Sequence, residues 1–213
     1  MQTRGDARRR WRRRRVLAVL AAGSVLGVGT ASTIAAWTDS EVATGSFVAS
    51  VFDTQSQTAG SPTYASHATA PNAATLTFSG GALSPGALAQ AWINVRTSPA
   101  STVGGTISLT SATATGGLAP ALEYRAVRLS AAVPTATCNA AAFTSGTPVF
   151  VAGSASTYIP VTTVPGTIVA NPIDAAGAQL GFCVEVRIQP GAANSFQGTS
   201  GTVTWTFTGT SAS

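Results

Sequence analysis

The side chains able to do chemistry are few. His67 is the only histidine in the 213 residues, and Cys138 and Cys183 are the only cysteines. A His-Glu-x-x-His zinc helix is therefore excluded, and two cysteines without short metal-type spacing do not replace it. A Ser/His/Asp triad needs a single histidine, but no Gly-x-Ser-x-Gly elbow is present. His67 follows Ser61-Pro62-Thr63-Tyr64-Ala65-Ser66, a loop-like run, and reads as an exposed loop residue rather than a catalytic base. Lysine is absent, so no phosphate loop of the usual kind can form, and no Gly-x-Gly-x-x-Gly fingerprint occurs. The acids after residue 36 (Asp39, Glu41, Asp53, Glu123, Asp174, Glu185) are too scattered for a calcium loop. The expectation is a protein without catalytic residues, metal ligands or cofactor.

Other polar and aromatic residues have a functional and a plainer reading. Glu123 and Arg125, like Glu185 and Arg187, are two apart and share a strand face; they read as solvated surface pairs of little energetic weight. Trp205 alternates with Val203 and Phe207 and reads as core, whereas Trp92 alternates with Asn94 and Arg96 and is the better surface contact, for instance to a sugar ring.

Charge is strongly localised. The net charge of +5 invites a nucleic-acid reading, but eight arginines against Asp6 give residues 1–36 a charge of +7, and four arginines against six acids leave the rest at −2. No basic patch survives beyond residue 36 to neutralise phosphates, so nucleic acid is not an expected partner. The arginine-rich start is followed by thirteen uncharged residues, Val16 to Val28, and then by small residues up to Ala36. That is the three-part plan of a secretory signal, with an apolar signal helix. Residues 1–36 are therefore expected to be the signal peptide and 37–213 the secreted domain, localised outside the cell or at its surface. Small residues permit cleavage after Ala31 or after Ala36. The plainer alternative is retention of the 21 residues Val16 to Ala36 as an anchor, so contact with a membrane is expected only through an uncleaved leader. In an exported protein the even pair Cys138 and Cys183 is most simply a disulfide, two buried thiols being the other option.

Beyond the leader, apolar residues recur with a period of two between Gly, Pro, Ser and Asn clusters. Low charge and abundant threonine suit strands, and no long stretch of 3.6 periodicity appears. Thr202 to Thr208 and Phe182 to Ile188 are the clearest half-buried strands. Further candidates are Phe47 to Asp53, Thr75 to Ser79, Leu88 to Arg96, Val103 to Thr110 and Leu122 to Leu129, with weaker runs at Val149 to Val151 and Tyr158 to Thr162. The alternation changes phase between Tyr124 and Val127, which suggests a bulge. Five prolines crowd residues 130 to 175 and predict irregular edge pairing there. Eight or nine strands in one all-β domain predict an antiparallel, jelly-roll-like β-sandwich.

The segment Ser32-Thr33-Ile34-Ala35-Ala36-Trp37-Thr38-Asp39-Ser40-Glu41, followed by Thr44-Gly45-Ser46-Phe47, resembles the TasA/camelysin family of exported proteins. Two later runs are similar to turns of that family: Leu83-Ser84-Pro85-Gly86, and Asn194-Ser195-Phe196-Gln197-Gly198 before Val203-Thr204-Trp205-Thr206-Phe207. The resemblance implies cleavage between Ala36 and Trp37 by a SipW-type signal peptidase. It also implies a jelly roll that builds fibres or other surface and biofilm-matrix structures. A metalloprotease label has attached to the family through camelysin, and no obvious ligand set here supports it.

Two principal functions follow as expectations. The first is a structural protein that self-associates into fibres, with the strand around Phe47, Val48, Val51 and Phe52 pairing with the edge of another subunit. The second is a monomeric binding or adhesive module, with a secreted protease a distant third.

Overall fold

The computed structural model describes residue 15 and residues 43–79 and 82–213. The leader, and with it the cleavage position Ala36 and Trp37, lies outside the described residues apart from Arg15, which is helical. The chain divides between Phe47 and Val48, and the unit Val48–Ser213 holds every strand described below.

Nine strands form among the described residues: β1 (Thr54–Thr58), β2 (Leu88–Thr97), β3 (Gly105–Thr115), β4 (Leu122–Arg128), β5 (Val149–Ala152), β6 (Ile159–Pro160), β7 (Asn171–Ile173), β8 (Gln179–Ile188) and β9 (Thr202–Ser211). They make two antiparallel sheets. One has the order β1-β2-β8-β4-β5, with β6 also on β4; the other has the order β7-β3-β9. The period-two pattern explains this directly. Ile93, Val95, Phe182, Val184, Val186, Leu122, Tyr124 and Ala126 project from the larger sheet into one core with Ile107, Leu109 and Ala112 of β3. Val203, Trp205 and Phe207 pack against that core from β9, with Phe207 and Phe182 ring centroids 4.9 Å apart.

The strands differ from expectation at four segments. Residues 47–53 and 75–79 are not strands, and pairing begins only at Thr54. Phe52 instead turns its ring onto Gly105 and Gly209, where a Cβ on either glycine would come within 2.9 and 3.0 Å of the ring. Val51 and Asp53 use their backbone on the 98–103 turn: Thr102 N–H donates to Val51 O at 2.9 Å and Ser98 N–H to Asp53 O at 2.8 Å. The polar segment Thr-Gln-Ser-Gln-Thr, which has no apolar alternation to reveal it, pairs fully with β2. Asn171–Ile173 is a short edge strand despite Pro172, as an edge position permits.

The Pro-rich region supplies a second, smaller core on the outer face of the larger sheet. Val127, Leu129, Phe143 and Cys183 are buried there, held by a Cys138–Cys183 disulfide. Asn94, fully buried, clamps the same region by donating to Val133 O at 2.7 Å and accepting from Val133 N–H at 2.9 Å. The phase change in β4 thus has two causes. The register of β4 on β5 shifts between Ala126 and Val127, and from Val127 onward the outward side chains have their own apolar partners.

Candidate functional site

Two features of the smaller sheet stand out, an open edge and a cavity beside it. Strand β9 is the last strand of the sheet and pairs only with β3, over ten residues, among the described residues. Its other edge pairs with no strand among the described residues, and an edge of that kind can template a further strand. At the N-terminal side, Phe47 and Val48 are each 96% exposed, a sharp contrast with Phe52, which packs on the core. The four residues named as an assembly strand therefore separate into an exposed pair, Phe47 and Val48, and a pair tied down within the chain, Val51 and Phe52.

The cavity, of about 700 Å³, lies between the sheets along β9. Its walls are the inner faces of β2 and β8 (Ile93, Val95, Val186) and of β9 (Val203, Trp205, Phe207), with Leu76 and Phe78 covering it. Residues of β1 (Thr54, Gln55, Ser56) and of the 66–76 loop complete its lining. His67 lines this cavity, half-buried, with Nδ1 2.8 Å from Ser56 Oγ. The expectation of a freely exposed loop histidine is thus revised by its contact with β1. Sequence reasoning missed the cavity, because its lining comes from stretches far apart in the chain, from Thr54 to Phe207, that only the fold brings together.

The acidic and basic residues also depart from expectation. Glu185 is fully buried and Arg125 nearly so, and the pairing runs across strands rather than along them. Strands β4 and β8 place Arg125 opposite Glu185 and Glu123 opposite Arg187. Arg125 Nε donates to Glu185 Oε1 at 2.7 Å, its Nη1 donates to Ala155 O at 2.6 Å, and Gln90 Nε2 donates to Glu185 Oε2 at 2.8 Å. The Tyr158 hydroxyl also donates to Glu185, and its ring stacks on both Arg125 and Arg187 at 4.7 and 3.7 Å. Burial, with the hydrogen bond to Glu185 and its negative charge, pushes the Tyr158 phenol up to about 12. The group is closed and mutually satisfied, which suits a rigid clamp of the 154–158 loop better than a reaction centre. What could have signalled it is the bulk packed nearby: Phe143 and Tyr158 both stack on Arg125, so this face is covered.

Trp92 stands opposite Cys183 on that covered face and is half-buried, while Arg96 beyond it stacks over Tyr64 at 4.1 Å and donates to Gln55. Trp205 is part of the core packing, meeting Tyr124 edge-on and Phe78 at a tilt, each at 5.9 Å. Among the described residues no group of three or more His, Cys, Asp and Glu is placed to hold a metal ion. No helix among them is long and apolar enough to cross a membrane. The chain matches no known protein-family model and no curated protein.

Proposed function

We infer that this is an exported, non-catalytic structural protein of the cell surface or extracellular matrix. In this reading residues 1–36 are removed by a signal peptidase and the β-sandwich, of jelly-roll type, assembles through strand addition. The observation that carries the reading is the ten-residue strand β9, whose outer edge meets no strand among the described residues, combined with the exposed apolar pair Phe47–Val48 ahead of the first strand. An arm from one copy laid along β9 of the next would satisfy that edge and bring apolar side chains over the cavity. A head-to-tail contact of this sort does not close on itself and propagates a filament. The jelly-roll reading is supported by the path of the chain, which passes between sheets at β2–β3, β3–β4, β6–β7, β7–β8 and β8–β9. Export is supported by the buried disulfide, a bond that persists in oxidising compartments, and by the tripartite leader.

The test is electron microscopy and sizing of the chain beginning at Trp37, compared with the same chain carrying Phe47→Asp and Val48→Asp. Filaments or concentration-dependent oligomers that the double substitution abolishes are expected. A strictly monomeric protein at high concentration, with or without the substitutions, overturns the reading.

A further inference from the structure

We draw no further inference here: the strongest candidate, the outer face of the smaller sheet, where Thr202, Thr204, Thr206, Thr208 and Thr210 of β9 stand beside threonine and serine residues of β3, is an unpartnered sheet face, and nothing in the structure shows what covers it.

Discussion

Replacing Arg125 by methionine tests how the sandwich tolerates charge inside it. Glu185 has no exposed surface, and Arg125 contributes two contacts to its Oε1 at 2.7 Å, from Nε and from Nη2. Methionine retains much of the aliphatic stem and removes the whole guanidinium, so Glu185 keeps only Tyr158 and Gln90 as partners. A buried carboxylate stripped of its counter-charge costs about 3–5 kcal/mol, and the lost bond to Ala155 adds to the same side. Arg187→Met is the control. Its partner Glu123 is 13% exposed and Arg187 itself 25%, so solvent still reaches the group left behind and the loss, stacking on Tyr158 included, should be smaller, about 1–2 kcal/mol. Urea unfolding near neutral pH should therefore separate the two variants by at least about 1 kcal/mol. The double variant Arg125→Met, Glu185→Leu should recover most of the deficit, because no lone charge is left behind. Equal, small effects from Arg125→Met and Arg187→Met would refute the assignment of a buried pair.

Further expectations concern the covalent clamp, the alkaline limit and a close approach. Removing the disulfide with Cys138→Ser and Cys183→Ser releases a loop closed over a sequence separation of 45 and should cost on the order of 4 kcal/mol by chain entropy, less any native strain relieved; hydrogen exchange should rise first in residues 130–148. The Tyr124 and Tyr158 phenols are both raised from 10.0 to about 12, chiefly by burial. Between those values the unfolded chain releases protons that the folded one keeps, so stability is full below about pH 10 and falls as pH rises towards 12; Tyr158→Phe should flatten part of that decline in urea midpoints measured across the range. Gly105→Ala places a Cβ 2.1 Å from the Thr210 carbonyl and 2.9 Å from the Phe52 ring, so it should destabilise the fold by about 1–3 kcal/mol and expose residues 48–53 to protease.

How far the sequence reveals this molecule depends on which face of a strand is asked about. Alternation in β8 and β9 is plain because Phe182, Val184, Val203 and Phe207 meet one shared core, and both strands appear where the pattern places them. The outer face of β4 and β8 is a different matter. Glu185 and Arg125 look like solvent-facing residues, and only the distant loop that brings Tyr158 and the region carrying Cys138 and Phe143 make them interior. Such coverage is a long-range property, and a period of two cannot encode it. Strand β1 is hidden for the opposite reason: Gln55 and Gln57 bond to Arg96 and Asn94 across the pair, so polar side chains carry what apolar alternation carries elsewhere. The cavity is illegible in the sequence because residues as distant as Ser56, His67, Ile93, Val186 and Trp205 meet there only through the fold.

The most direct test of the central claim, that one copy's arm adds to β9 of another, is heterologous crosslinking. Val48→Cys and Thr206→Cys are made in separate chains that retain the native disulfide, then mixed under mild oxidation at concentrations that give oligomers. The account predicts an intermolecular disulfide between the two variants, and little when either is incubated alone. Crosslinks only between like variants, or none while oligomers form, would contradict it.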